Sequence, residues 1–174
     1  MKTILSLYLA TVLMLSSCST VSQQSVNHVK AYFSPPGKHL EEVVVEAIDN
    51  AKSQILVQAY GFSNDEICAA LIRAKKDRKV KIKILLDKSN ETSQKSCMED
   101  MEKIHVTPRI DDEGGIAHNK VMIIDSMITI SGSFNFTENA KRNEENLLVI
   151  TDHDVAMEYI KNWYLRRIES RKPE

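Results

Sequence analysis

Residues 118–137 read HNKVMIIDSMITISGSFNFT, and the alternation within them sets the class of fold. Residues 120–124 and 127–131 are two strand-like apolar runs joined around Asp125-Ser126. Upstream, the patterns alternate. Residues 29–33 read as a strand, 39–52 as a helix with one apolar stripe, and 55–60 as a short buried strand. Ser63 or Asn64 is placed to cap a second helix, which ends in the basic run Lys75, Lys76, Arg78, Lys79 before a strand over 80–86. Further along, the spacing predicts a helix over 93–104, a short strand over 106–110 and another strand over 146–151. Asp152 can cap a last helix running to about Arg171. Strand and helix alternating through the first half imply an α/β sandwich.

The quoted stretch also carries the chemistry. Residues two apart on a strand point the same way, so His118 and Lys120 can present an imidazole and an ammonium to one pocket. Ser133 and Asn135 add a hydroxyl and an amide at the same spacing. A nucleophile or acid–base, a fixed cation and two neutral donors suit an anion that gains charge in its transition state, above all a phosphate. Imidazole can attack phosphorus directly and form a covalent intermediate, with the side-chain cation standing where a metal would otherwise be needed. Asp125 lies at an odd offset from His118 and Lys120, so it reads as structural, holding the strand turn.

His-x-Lys-x4-Asp over 118–125, followed by Gly-Ser-x-Asn over 132–135, resembles the signature of the phospholipase D superfamily. The small size, the single copy of the motif and the export signal resemble its bacterial secreted endonucleases of the Nuc type. Tyr32-Phe33-Ser34-Pro35-Pro36, Ala59-Tyr60-Gly61-Phe62 and the pair Glu145-Asn146 extend the likeness over about residues 30–165. The resemblance implies an α-β-α sandwich with a mixed central sheet and helices on both faces. It implies that His118 is the nucleophile in one subunit and the leaving-group acid in the other, and that Lys120, Ser133 and Asn135 bind the scissile phosphate. Glu145 would hydrogen-bond an imidazole and set its tautomer; Glu144 stands beside it, so this register is open by one residue. The two-step reaction needs two histidines, and a two-fold homodimer would supply both to one shared site. No cofactor and no metal ion are implied.

The chain has 174 residues and a net charge of -1, enough for one domain with its own core and against a protein that coats nucleic acid by bulk positive charge. Residues 1–18 read as an export signal: Lys2, an apolar run over 4–15 too short to span a bilayer, then Leu15-Ser16-Ser17-Cys18. That ending resembles the bacterial lipoprotein box, with Cys18 acylated, and Ser19 fits outer-membrane sorting; a plain secretory cleavage nearby is the alternative. The expected organisation is a signal over 1–18, a Ser/Gln-rich tether over 19–28 and one nuclease domain over 29–174, placed in the periplasm or at the outer membrane. Cys68 and Cys97 are open between a bridge and two buried thiols.

Blander readings compete for several residues. His28, His39, His105 and His153 sit singly and read as surface residues. Asp111-Asp112-Glu113 in a Gly loop reads as solvated acids rather than a metal site. The basic run from Lys75 to Lys83, and Arg166, Arg167, Arg171 and Lys172, either guide a polyanion or sit solvated at a helix end. For the whole protein, a metal-independent endonuclease acting on DNA, or RNA, with little sequence preference is the first expectation. A phospholipase D-type lipid phosphodiesterase and a non-catalytic surface protein that binds DNA are the alternatives.

Overall fold

The computed structural model describes residues 28–34 and 39–174. The expected leader, Cys18, the rest of the tether before His28, and Pro35-Pro36 lie outside them. The chain runs β1 (His28–Ser34), α1 (Leu40–Asn50), β2 (Gln54–Ala59), β3 (Phe62–Ser63), α2 (Asp65–Arg78), β4 (Lys81–Asp87), α3 (Met98–Glu102) and β5 (Arg109–Asp111). It continues through β6 (Lys120–Ile124), β7 (Ile128–Gly132), β8 (Phe136–Thr137), β9 (Glu145–Thr151) and α4 (His153–Glu169). Short 3-10 turns cover Lys88–Asn90 and Glu138–Arg142.

Seven strands form one mixed sheet in the order β1-β9-β7-β6-β2-β4-β5. The strands β2, β4 and β5 are parallel, and β2 meets β6 antiparallel. From there β6, β7, β9 and β1 follow in antiparallel pairs. Alternate residues of each central strand face opposite layers. One face (Ile55, Val57 and Ile84 among others) packs under α1 and α2 in the larger core. The other (Leu56, Leu85, Val121, Ile123) packs on Ala156, Ile160 and Trp163 of α4. The Trp163 indole N–H donates to the Val57 carbonyl at 2.9 Å and fixes α4 to the middle of the sheet. This is the expected α-β-α sandwich.

Local chemistry sets the element ends. Asn64 Oδ1 caps α2 at Ile67 N (2.9 Å), and Lys79 closes that helix in the left-handed region. Asp152 caps α4 at Val155 N (3.0 Å). Asp125 and Ser126 both take positive φ, and Met127 N donates to Ile124 O across them. That is the tight turn that matches strand twist.

Two expectations are corrected. The helix predicted over 93–104 shrinks to α3, Met98–Glu102. Cys97, just before it, is bridged to Cys68 of α2 and donates its N–H to the Phe62 carbonyl at 3.0 Å, so tertiary ties fix the chain path there. The acidic loop is not solvated throughout. Asp111 is buried and paired with Arg166, and Asp112 pairs with Arg171 at 2.7 Å. The two arginines are therefore held by carboxylates instead of standing free; Arg171 also meets Glu91 at 2.7 Å.

Candidate active site

The strands β6, β7 and β9 lie side by side, so His118, Lys120, Ser133 and Glu145 gather at one end of the sheet. His118 sits just ahead of β6 and Lys120 opens it, directly opposite Ala59. Gly132 ends β7 opposite Leu147, which places Ser133 beside the start of β9. A side chain at 132 has no room: a Cβ there would lie 2.3 Å from the Asn146 carbonyl oxygen. With glycine, Ser133 N reaches that carbonyl at 3.1 Å, and Ser133 Oγ accepts from Asn146 N at 3.0 Å.

The exposed imidazole of His118 meets the Tyr60 ring edge-on, with centroids 4.8 Å apart. Lys120 is only 7% exposed; its ammonium donates to the His118 carbonyl at 3.0 Å and lies 5.3 Å from the Tyr60 ring centroid. Burial pushes its pKa down, and the negative charge of Glu145 partly opposes that shift. A desolvated ammonium is a strong partner for an incoming anion, because little water competes for it.

Ser133 Oγ donates to Glu145 Oε2, and Asn143 Nδ2 donates to Glu145 Oε1 at 3.0 Å. The side chain at 145 is half-buried and Glu144 is exposed. Of the two neighbouring carboxylates, it is that of Glu145 that bonds to Ser133. Among the described residues no hydrogen bond joins Glu145 to His118; the partners of its carboxylate are Ser133 and Asn143. Asn135 lies between Phe134 and Phe136, both buried, and its Oδ1 is buried without a hydrogen-bond partner among the described residues. The short pairing of β3 with β8 holds it there, and Gly61 lies against Thr137 and Asn135.

Asp125 takes the structural role expected of it. Its carboxylate accepts from Lys52 N (2.7 Å), Ser53 N (2.7 Å), Ser53 Oγ (2.8 Å) and Gln54 N (3.0 Å), at the far end of β6. Burial alone would raise its pKa, but these donors hold it below the usual aspartate value. The other four histidines are exposed, as expected. Among the described residues no group of three or more His, Cys, Asp or Glu is placed to hold a metal ion. Sequence reasoning missed Tyr60 as a wall of the site; the signal available was an aromatic at a strand end before Gly61.

This sheet end combines a buried ammonium, a hydroxyl and a carboxylate with an exposed imidazole, a set with the chemistry to bind an anion. The family described as cardiolipin synthase, PLD-like domain, matches residues 44–165. A phospholipase D of Rickettsia prowazekii is 41% identical over 152 residues, which is 87% of this chain and 73% of that protein. The crystal structure of Nuc from Salmonella typhimurium, a phospholipase D family member, superposes with a TM-score of 0.79 at 34% identity, covering 84% of this chain and 97% of that one. NucT from Helicobacter pylori shares the fold, with a TM-score of 0.77 at 21% identity. The chain belongs to the phospholipase D superfamily, and it is a phosphodiesterase.

Proposed function

We propose that the protein is an endonuclease that hydrolyses phosphodiesters of DNA, and of RNA, with little sequence preference, through a phosphohistidine formed at a site shared by two copies of the chain. The observation that carries this reading is the arrangement of Lys120, Ser133 and Glu145 beside an exposed His118 at one sheet end. The likeness to Nuc, almost the whole of which this chain matches, supports the nucleic-acid substrate. In the first step an imidazole nitrogen of His118 bonds to phosphorus as the P–O bond to the leaving oxygen breaks. The partner's His118 gives that oxygen its proton. In the second step the partner's His118 takes a proton from water, the hydroxide attacks phosphorus, and the P–N bond breaks. Lys120, Ser133 and Asn135 hold the non-bridging oxygens, and Glu145 orients the imidazole that approaches it. Ile116 and Phe33, 67% and 65% exposed near His118 and Glu145, are surfaces that a second copy would cover.

A second reading, a lipid phosphodiesterase, is favoured by the Rickettsia relatives, which are named phospholipase D. The test is incubation of the purified protein with plasmid, single-stranded DNA, RNA and phospholipid vesicles in excess chelator, beside His118→Asn. Cleavage of nucleic acid by the unaltered protein alone is the expected result. Cleavage of vesicle phospholipid alone would transfer the assignment to the lipid reading, and activity only with an added divalent ion would sink the phosphohistidine route. Export and acylation at Cys18 belong to the same proposal. Labelling with a fatty-acid analogue that is lost in Cys18→Ala is the expected outcome.

A further inference from the structure

Two buried polar side chains outside the motif bear on His118. Asp87 ends β4 and is 2% exposed; Asn90, in the turn that follows, is 4% exposed. Asp87 Oδ2 accepts from Ala117 N at 2.8 Å, on the residue directly before His118. On the other side of His118, the Asn119 carbonyl accepts from Tyr60 N at 2.7 Å. Asn90 Nδ2 donates to the Tyr60 carbonyl (2.7 Å) and to the Asp87 carbonyl (2.9 Å), and Asn90 Oδ1 accepts from Phe62 N (3.1 Å). The links close on themselves: Asp87 to Ala117, through His118 to Asn119, to Tyr60, to Asn90, and back to Asp87. The remaining Asp87 oxygen is engaged by Ser89 N at 2.9 Å, so the carboxylate is fixed at both ends.

Such a ring matters because the segment before it, residues 113–116, is exposed. Gly114 and Gly115 take φ of 71° and 111°, and a Cβ at either would meet nothing within 4 Å. His118 is itself exposed, and its ring touches only the edge of Tyr60 among aromatic neighbours. The backbone on either side must then be held from behind, from the sheet.

We infer that Asp87 and Asn90 are positioning residues for His118, locking the backbone on both sides of the imidazole and the Tyr60 wall against it. The inference rests on the reading of His118 as the reacting group. Neither residue touches substrate; both act through Ala117, Asn119 and Tyr60. A reacting nitrogen displaced by about 1 Å can lose on the order of 10²-fold in rate while phosphate binding, made by Lys120 and Ser133, persists.

The test pairs kinetics with amide exchange in Asp87→Ala and Asn90→Ala, with Asp87→Asn and Asn90→Ser as milder variants should either alanine form fail to fold. Val44→Ala, in the buried face of α1, serves as a control of comparable destabilisation. The expected result is kcat on a phosphodiester lowered about 10²-fold with KM within about threefold, and faster exchange confined to residues 60–62 and 112–119. Val44→Ala should keep its kcat. Unchanged exchange in those two segments, or an equal loss of kcat in Val44→Ala, would overturn the inference. If the unaltered protein cleaves no phosphodiester, the reading of His118 falls, and the exchange pattern still decides whether the ring holds this loop.

Discussion

Lys120 trades solvation for a place in the site. Because burial lowers its pKa, it gives up its proton at a lower pH than an exposed lysine does. Its charge is complete below that value and lost as pH rises through it. KM for a phosphodiester should therefore climb on the alkaline side before an ordinary lysine would deprotonate, and a pH series of KM for the unaltered protein reads this directly. Lys120→Gln should lower kcat/KM by about 10²–10³-fold. Asp125 is the opposite case, a motif residue that holds backbone. Asp125→Ala should cost on the order of 2–3 kcal/mol of stability, since it strands donors that were bonded to a charged group. At temperatures where the variant stays folded, kcat should survive within about threefold. Since its folded pKa is depressed, the stability it confers is complete above the ordinary aspartate value and lost as pH falls through the lower folded one. Parity in the sequence separates the two, since Lys120 shares a side with His118 and Asp125 lies at an odd offset from both. Asp87, Asn90 and the pairs Asp111–Arg166 and Asp112–Arg171 were not legible there: their partners are 28 to 59 residues away, and no local pattern announces them.

At the scale of elements, the hairpin of β6 and β7 needed only its own residues to be read. Three residues, 125–127, join its strands, and Asp125 stabilises the left-handed turn by bonding back to residues 52–54. The two-residue pairing of β3 with β8 escaped notice, because such short runs carry no periodicity. It is nonetheless what seats Asn135. Gly61 lies against that pairing, and a Cβ there would come within 2.5 Å of Thr137 Cγ2. Gly61→Ala should therefore push β8 outward and lower activity by more than its effect on the thermal midpoint would suggest. Gly132→Ala should be worse, since the obstacle is the Asn146 backbone and cannot rotate away; poor folding, read by circular dichroism, is the expected outcome. The segment over 93–97 carries two serines and a cysteine, which are weak helix formers, and the bridge at Cys97 and its bond to Phe62 fix the chain path there. Spacing left that bridge open between two readings.

At the scale of the molecule, one sheet with helices on both faces brings His118, Lys120, Ser133 and Glu145 to one sheet end and leaves Asp125 at the opposite end of β6. The Cys68–Cys97 bridge spans 29 residues and ties α2 to the start of α3. Replacing both cysteines by serine should cost about 3 kcal/mol, visible as a lower denaturation midpoint. The central claim is that phosphorus passes through a covalent bond to His118. The stereochemical course at phosphorus tests it most directly, using a dinucleotide phosphodiester made chiral with sulfur and isotopic oxygen and hydrolysed in labelled water. Two successive in-line displacements, one by His118 and one by water, predict retention of configuration. Inversion would mean that water attacks the diester directly and would contradict the account.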